Sequence, residues 1–308
     1  MVAASKTKDM AKKTNNLNPI LSKLPYQLKD LAKLLLRFPA RVRERYDYFL
    51  SADKLTGTAL VKALRELRIR EGSVLLVHSS LSRLGIVEGG AKTVIEALLE
   101  VLGPNGTLAM PAFGWSPNEN AVFDCRKSPS RLGVISETFR RRPGVLRSCH
   151  PTHSVAAFGP QAEYLISEHM RSKTPFDNFS PYQKLLKLNG DILCLGVSIR
   201  FITFYHVYED LNPAFPLPVY ADQPLRVRVI DAAGKPAVMT IYTHRDDLAE
   251  ARIDHNRSVL TRVKKYFDKK GIVKTVRIGG RESYLLNSEE IIKALDDMLK
   301  EGKTIYAG

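Results

Sequence analysis

The sequence has few cysteines, and their spacing excludes two classes of protein. Its 308 residues hold three of them, Cys125, Cys149 and Cys194, without a CxxC pair or a zinc-finger pattern. An odd number of scattered cysteines argues against a disulfide framework and predicts free thiols in a reducing compartment. A thiol nucleophile at Cys149 beside His150 is disfavoured, because successive residues of a strand point to opposite faces. The thiols are therefore expected to be structural.

Long apolar runs are also absent. No run approaches the roughly 20 residues that a helix needs to cross a bilayer. The first 20 residues lack the apolar core of a signal peptide, since Lys, Thr and Asn stand where that core would lie. We therefore predict a cytoplasmic chain with no membrane span. With 44% hydrophobic residues, the chain can bury one large core or two modest ones.

Acidic residues are scarce relative to basic ones, which gives a formal net charge of +15. Residues 1–50 hold eleven Lys and Arg against four Asp and Glu. We predict a disordered basic tail over residues 1–18, a helical extension over residues 19–55 and a catalytic α/β domain over residues 56–308. The extension is expected to pack on the body or on a second subunit, and a homo-oligomer is left open. Binding of an acidic surface, nucleic acid or membrane is its alternative role.

From residue 56 the hydrophobic pattern alternates between helix and strand. The helix TGTALVKALRELRI, capped by Thr56 or Thr58, is followed by the strands SVLLVHSS, GTLAMPAF, SVAAFGP and DILCLGV with helical segments between them. PLRVRVID predicts a further strand, and residues 114–133 lack periodicity and predict a long functional loop. This order predicts an α/β fold with a largely parallel or mixed central sheet flanked by helices.

The first candidate for chemistry ends the first strand. His78, Ser79, Ser80 and Leu81 precede a loop containing Gly85, and hydroxyls with free N–H groups at such a turn can hold a phosphate or a pantetheine chain. The segment matches neither a P-loop nor a GxGxxG motif. Its alternative is a serine-rich turn that caps the next helix.

The second candidate is the segment RSCHPTHSV. Arg147, His150, His153 and Ser154 lie close together there. Two histidines three residues apart can bind zinc, but no further ligands stand at a standard spacing, so we predict no metal. Ser154 lacks the GxSxG setting of a hydrolytic nucleophile. A hydrogen-bonding wall of an active cleft is the favoured interpretation.

The third candidate carries the chemistry. Thr203, His206 and Glu209 recur at a spacing of three, so on a helix they would lie along one stripe. A carboxylate beside an imidazole fixes its tautomer or raises its basicity, which suits His206 to act as a general base. The alternative is a histidine on a helix surface whose hydrogen bonds are already satisfied.

The runs VHSSLSRLG, EGGAKTVIEALLEVLGPNGTLAMPAF, RSCHPTHSVAAFGPQAEYL, FSPYQKLLKLNGDILCLGV and TFYHVYE together resemble the aminoglycoside 3-N-acetyltransferase family. The ordered motifs cover roughly residues 56 to 220. The resemblance implies a compact α/β fold that uses acetyl-CoA as cosubstrate to acetylate an amino group on a sugar-like ring. The partner it implies is thus a small amine, an aminoglycoside or an amino sugar.

Carried onto this chain, the family's essential histidine falls on His206, with Glu209 as its catalytic partner. The implied cofactor-binding residues are His78, Ser79, Ser80, Leu81, Arg147, Ser154 and Val155. The implied substrate-binding residues are His150, His153 and Thr203.

Two features depart from this pattern. The segment after the last histidine motif, DLNPAFPLPVYADQPLRVRV, is less acidic than in antibiotic-modifying members, and the basic extension is atypical. A strongly basic protein repels a polycationic acceptor. The alternative function is a non-catalytic protein that binds nucleic acid or another acidic surface on a degenerate fold of this family, although no nucleic-acid motif supports it. A hydrolase using Ser79 or Ser154 is the third option.

Overall fold

The computed structural model describes residues 54–115 and 122–307. The predicted tail and all but the last two residues of the predicted extension lie outside these ranges. The first half of the described chain contains α1 (Gly57–Glu66), β1 (Val74–Ser79), α2 (Leu81–Leu84), α3 (Gly90–Leu102), β2 (Thr107–Pro111), β3 (Phe123–Asp124), α4 (Val134–Arg140), β4 (Leu146–Arg147), β5 (Val155–Phe158) and α5 (Ala162–Ile166).

The second half continues with α6 (Pro181–Lys187), β6 (Asp191–Leu195), α7 (Val207–Leu211), β7 (Leu225–Ile230), β8 (Pro236–Ile241), α8 (Arg257–Lys270), β9 (Lys274–Ile278), β10 (Arg281–Asn287) and α9 (Ser288–Lys300). Four 3₁₀ turns lie between these elements at His169–Arg171, Ile199–Phe201, Thr203–His206 and Asp246–Ala251. None of the described helices has the length and apolarity that a membrane span requires.

Seven strands form the main sheet in the order β4-β5-β2-β1-β6-β10-β9. The central strands β2, β1 and β6 are parallel, whereas β5 and β10 pair antiparallel with their neighbours and make the sheet mixed. The predicted α/β class with a mixed sheet is therefore confirmed. The strand predicted from PLRVRVID lies elsewhere, because β7 joins β3 and β8 in a separate three-stranded sheet. The predicted loop over residues 114–133 contains β3.

Both faces of the main sheet are buried, as expected for parallel central strands. Along β1, Val74 and Leu76 pack into one apolar cluster with α5, α6, α8 and α9. Leu75 and Val77 pack into another with α1, α3 and α4. This alternation follows the two-residue period of a strand and explains why β1 appears in the sequence as a continuous apolar run. Of the two predicted caps of α1, Thr56 is the one used, its hydroxyl accepting from the N–H of Ala59 at 3.2 Å.

The hairpin between β9 and β10 is fixed against α2 by a two-residue turn. Gly279 has a φ of +57°, and glycine is the usual residue at the first position of a type II′ turn. A Cβ at Gly279 would lie 1.9 Å from the Leu84 carbonyl oxygen. That same oxygen accepts from the N–H of Gly280 at 3.1 Å. Only glycine can make this approach, which holds the edge of the sheet close to the segment that follows β1.

The parallel strands end at one edge of the sheet. His78 and Ser79 at the end of β1 pair with Cys194 and Leu195 at the end of β6. In open α/β sheets, ligands bind in the crevice outside the carboxyl ends of such strands. The segments that follow β1, β2 and β6 therefore define where a site is expected.

Candidate active site

A cavity of about 390 Å³ lies at this edge of the sheet. Its lining consists of Val77, His78, Ser79, Ser80, Arg83, Pro111, Phe113, Leu132, Ser136, Val197, Arg200, Phe201, Ile202, Thr203, His206, Ile253 and Asp254. All three parallel strands contribute their last residues or the residues just beyond them. The volume falls within the range of small-molecule sites.

The segment after β6 brings His206 to the cavity. Two successive 3₁₀ turns, Ile199–Phe201 and Thr203–His206, lead directly into α7. The single α-helical stripe expected for Thr203, His206 and Glu209 is therefore wrong, since the backbone changes from 3₁₀ to α geometry at His206. Thr203 and His206 line the cavity, whereas Glu209 does not.

The Glu209 carboxylate is buried behind His206 and accepts three hydrogen bonds. Its Oε1 accepts from His206 Nδ1 at 2.9 Å and from the Tyr306 hydroxyl at 2.8 Å. Its Oε2 accepts from His244 Nε2 at 2.8 Å. The side chain is 1% exposed, so its charge is stabilised by these donors and not by water.

Electrostatics keep Glu209 ionised despite its burial. Burial alone would raise the pKa of the carboxyl, but the His206 imidazole and the hydrogen bonds from His206 and His244 outweigh it and lower this pKa to about 2. Burial and the nearby His206 lower the pKa of His244, so His244 is a neutral donor at neutral pH. The ionised Glu209 thus lies between two imidazoles, the neutral ring of His244 and the ring of His206, and of the three only His206 lines the cavity.

The ionised Glu209 fixes the tautomer of His206. A carboxylate can only accept, so His206 Nδ1 carries the proton in this contact. In the neutral form of this tautomer, the lone pair lies on the other ring nitrogen, Nε2. This arrangement has the geometry of a general base held by a carboxylate.

Sequence reasoning did not find His244 or Tyr306. His244 follows β8 and Tyr306 follows α9, and both contact Glu209 from 35 and 97 residues away. No spacing rule connects residues so distant. The polar run YTHRDD directly after a strand is the one local signal that could have pointed to His244.

His206, Glu209 and His244 also offer three potential metal ligands within 4.8 Å of one another. Two imidazoles and a carboxylate are a ligand set that zinc accepts. Here the same atoms hydrogen-bond to one another, and this pairing satisfies the carboxylate without an ion. Treatment with a chelator tests whether these three residues bind a metal ion.

The segment at the end of β1 lies at the cavity, and its predicted part in cofactor binding stays a prediction. His78, Ser79 and Ser80 line the cavity, and Leu81 packs against the core beside it. Burial lowers the pKa of His78 to about 4, so its ring is neutral, and its Nε2 has no hydrogen-bond partner among the described residues. The Ser80 N–H already donates to the Leu195 carbonyl at 3.1 Å, which removes one amide from those that could hold a ligand.

The structure does not bring Arg147, Ser154 and Val155 to the cavity lining. The buried Arg147 guanidinium donates to Ser154 Oγ at 3.1 Å and to the Cys125 carbonyl at 3.3 Å. The N–H of Val155 donates to Ser148 Oγ at 2.9 Å. These contacts tie β4 and β5 to the segment that precedes α4, and their predicted part in cofactor binding stays a prediction.

The two earlier histidines stand behind the cavity. His150 is fully buried and stacks on His169 with ring centroids 4.5 Å apart. His153 lies between Phe113 and Phe176, at 4.8 and 4.9 Å between ring centroids. Phe113 lines the cavity, and Phe176 lies 5.2 Å from His206, so these rings can influence the wall only indirectly.

Burial governs the charge state of both histidines. It lowers the pKa of His150 and of His153 well below the ordinary value, with neighbouring imidazoles adding to the effect. Both rings are therefore neutral at neutral pH. Their predicted contact with substrate stays a prediction.

Comparison with known proteins agrees with this geometry. A family model described as aminoglycoside 3-N-acetyltransferase matches residues 76–300. The chain belongs to the aminoglycoside 3-N-acetyltransferase family, and the resemblance found in its motifs is confirmed.

Curated relatives carry the same description. Aminoglycoside N(3)-acetyltransferase IV from Salmonella sp is 43% identical over 152 residues, which are 49% of this chain and 57% of the relative. Aminoglycoside N(3)-acetyltransferase III from Enterobacter cloacae is 32% identical over 173 residues, or 50% of this chain and 60% of the relative. The chain thus spans less than two thirds of the length of these relatives.

Solved structures match over a larger share. The apoenzyme of the aminoglycoside acetyltransferase AAC(3)-IVa is 30% identical, with a TM-score of 0.67 over 82% of this chain and 91% of its own. A mutant of AAC(3)-IVa in complex with a gentamicin gives a TM-score of 0.68 at 30% identity, over 81% of this chain and 90% of its own. AAC-IIIb, solved as a binary complex with CoASH, shares the fold at 24% identity with a TM-score of 0.69 over 83% of this chain and all of its own.

Proposed function

We propose that this chain is an acetyl-CoA-dependent N-acetyltransferase whose acceptor is an amino group of an aminoglycoside or a related amino sugar. The observation that carries the proposal is the His206 ring, which lines a cavity at the end of the parallel strands and is held by a buried, ionised Glu209. Membership of the family supplies the reaction class. The gentamicin complex of one relative supports the acceptor class.

In the proposed reaction, His206 Nε2 removes a proton from the acceptor amine. The amine nitrogen then attacks the thioester carbonyl carbon, a C–N bond forms, and the C–S bond breaks. The thiolate of CoA leaves and takes up the second proton, which the nitrogen loses as the amide forms, and the His206 imidazolium releases the first proton to solvent. Glu209 stabilises the imidazolium that forms on His206, because its Oε1 already accepts from Nδ1 at 2.9 Å.

The described cavity has limited capacity for a cationic acceptor. Asp254 is its one carboxylate among the described residues, and Arg252 Nε contacts it at 2.8 Å. That pairing reduces the negative field available to an incoming ammonium group. The acceptor is thus proposed at the level of its reacting amine, which an aminoglycoside and a simpler amino sugar share.

Thiol release tests the function directly. With acetyl-CoA and a panel of aminoglycosides, amino sugars and sugar nucleotides, we expect thiol release that depends on an amine acceptor and a product heavier by one acetyl group. Omission of the acceptor, or use of the N-acetylated acceptor, is the control. Release without any acceptor would favour the hydrolase. No release with any acceptor, together with nucleic-acid binding by the same preparation, would favour the non-catalytic alternative.

We further propose His244 as a positioning residue that acts through Glu209. Replacing His244 with alanine removes the donor at 2.8 Å from Oε2, and loss of one hydrogen bond to a charged group lowers kcat by about tenfold. The KM for acetyl-CoA stays unchanged, because His244 does not line the cavity. The acid limb of the kcat profile moves to higher pH, since the carboxylate charge is no longer shared between two donors.

The matched variant is His244→Gln, whose side-chain amide can replace the lost donor. It should recover most of the activity of His244→Ala. A similar loss in both variants, with an unchanged pH profile, would assign His244 a packing role instead.

A further inference from the structure

Two of the three cysteines meet where the two sheets adjoin. Cys125 directly follows β3 of the three-stranded sheet, and Cys149 follows β4 at the edge of the main sheet. Both side chains are buried in one small apolar cluster together with residues of β7 and β8. The fold therefore brings the two thiols together, although α4 and β4 stand between them in the chain.

Hydrogen bonds hold the two side chains against each other. The Cys125 thiol lies between two acceptors, the Arg147 carbonyl oxygen at 3.2 Å and the sulfur of Cys149. The Cys125 N–H donates to the Ile230 carbonyl at 2.9 Å, and the N–H of Ala232 donates to the Cys149 sulfur. The end of β7 thus binds both cysteines and fixes their positions.

These contacts make the two thiols unequal in reactivity. Although burial opposes the effect, the hydrogen bond from Cys125 lowers the pKa of Cys149, and the N–H of Ala232 adds to it. The same hydrogen bond, together with burial, raises the pKa of Cys125. The thiolate is the nucleophilic form of cysteine, and Cys149 is 7% exposed against 2% for Cys125. Cys149 is therefore the attacking sulfur, and Cys125 stays protonated beside it.

A buried cation supports a thiolate at this place. The Arg147 guanidinium donates only to hydroxyl and carbonyl oxygens, and in the part of the chain that the structure describes it pairs with no carboxylate. Burial lowers the pKa of Arg147 only to about 10, so it stays charged at neutral pH. A positive charge without a carboxylate partner favours an ionised thiol nearby. Cysteines that merely fill space in a core need no such charge.

We propose that Cys125 and Cys149 form a reversible disulfide that fastens the three-stranded sheet to the main sheet, with a peroxide as the oxidant. The Cys149 thiolate attacks one oxygen of hydrogen peroxide, the O–O bond breaks, and hydroxide leaves a sulfenic acid on Cys149. The Cys125 sulfur then attacks the Cys149 sulfur. The S–S bond forms, the S–O bond breaks, and the hydroxyl leaves as water with the Cys125 proton. A dithiol reductant restores both thiols and becomes a disulfide itself.

The third cysteine takes no part in this chemistry. Cys194 lies within β6 in the main sheet, and burial raises the pKa of its thiol. Neither Cys125 nor Cys149 lines the cavity, so the disulfide forms apart from acetyl transfer. All three thiols are free in the structure, which is that of the reduced state.

Intact mass measurement tests the pair on the native chain. After treatment with hydrogen peroxide, denaturation and alkylation, we expect a chain that carries one alkyl group, on Cys194, and lacks two hydrogen atoms. Peptide mapping should find Cys125 joined to Cys149, and dithiothreitol should restore three alkylated thiols. Sulfenic or sulfinic acid on Cys149 without a cross-link, or three thiols left unchanged by peroxide, would overturn the proposal whether or not any variant folds.

Single variants separate the roles of the two sulfurs. In Cys125→Ala the sulfenic acid on Cys149 has no partner, so dimedone should trap it, whereas in the native chain the disulfide should form first. Cys149→Ala should lose the cross-link and consume peroxide at least about tenfold more slowly. Cys194→Ala is the matched control and should cross-link as the native chain does. Equal peroxide consumption by Cys149→Ala and the native chain would contradict the assignment of the attacking sulfur.

Thermal unfolding tests whether the bond fastens the sheets. Because a cross-link restricts the unfolded chain, the Tm of the oxidised native protein should exceed that of the reduced protein by roughly 5–10 °C. Cys194→Ala should show the same difference, and Cys149→Ala should show none. A cross-linked protein whose Tm is unchanged or lower would overturn the fastening role. None of these measurements needs turnover, so their outcome is independent of the proposed function.

Discussion

Replacing His206 with alanine is expected to lower kcat by about 10²–10⁴-fold, the usual contribution of a general base. The acceptor amine is protonated at neutral pH and cannot attack a thioester until a base removes its proton. His206 is the described imidazole that lines the cavity with one nitrogen held by a carboxylate. Affinity for CoA, measured by calorimetry, should remain close to the native value.

Two further variants distinguish the base from the contact with Glu209. His206→Asn keeps a donor where Nδ1 stands but has no equivalent of Nε2, so it should be as inactive as His206→Ala. His206→Gln places its amide nearer the position of Nε2 and provides no base, so it should also be inactive. Substantial activity in His206→Asn would mean that the ring serves to hold Glu209 and that another group removes the proton.

Two controls cover the alternatives for the base. His150→Ala and His153→Ala should change mainly KM, because both neutral rings lie behind the cavity wall. Full turnover in His206→Ala with slow turnover in either of these variants would transfer the role to the earlier motif. Treatment with a chelator should leave the native rate unchanged, and a loss as large as that of His206→Ala would identify a bound metal at His206, Glu209 and His244.

Much of the fold could be predicted from local patterns. The strands β1, β2 and β6 appear as continuous apolar runs because helices cover both faces of the sheet. The sequence also predicts the strand β7, but it does not predict which sheet β7 joins. Its alternating burial marks a strand with one face to solvent, and only the distant partners β3 and β8 decide which sheet it joins.

Part of the candidate site could likewise be predicted from local sequence patterns, and part could not. The contact between His206 and Glu209 could be expected from their spacing of three, since residues so spaced are neighbours in both 3₁₀ and α geometry. The donors His244 and Tyr306 come from segments that meet α7 only in the folded chain. Arg147 differs again, because its described hydrogen bonds are internal, and its part in cofactor binding stays a prediction.

Replacing Glu209 with alanine is expected to lower the free energy of unfolding by about 3 kcal/mol at pH 7 and to abolish most of the activity. The substitution leaves three buried donors, on His206, His244 and Tyr306, without their acceptor, and each unsatisfied group costs about 1–3 kcal/mol. Glu96→Ala is the matched control. Glu96 forms an ion pair with Arg142, but the Glu96 side chain is 58% exposed, so its loss should cost less than about 1 kcal/mol.

The pH dependence of this loss identifies its cause. The pKa of the Glu209 carboxyl falls from its ordinary 4.5 to about 2 in the fold, and at about 1.4 kcal/mol for each pKa unit this corresponds to about 3 kcal/mol. A lowered carboxyl pKa gives stability that is fully present above pH 4.5 and is lost as the pH falls towards 2.

Buried neutral imidazoles such as His78, whose pKa is about 4, already weaken the native fold below pH 6.5. The informative quantity is therefore the difference between the native protein and Glu209→Gln, which keeps the shape of the side chain without its charge. Measured by denaturant unfolding at a series of pH values, that difference should narrow steadily as the pH falls below 4.5. A difference that stays the same across this range would mean that Glu209 stabilises the fold by packing and neutral hydrogen bonds, and the charged carboxylate assigned to the mechanism would have to be abandoned.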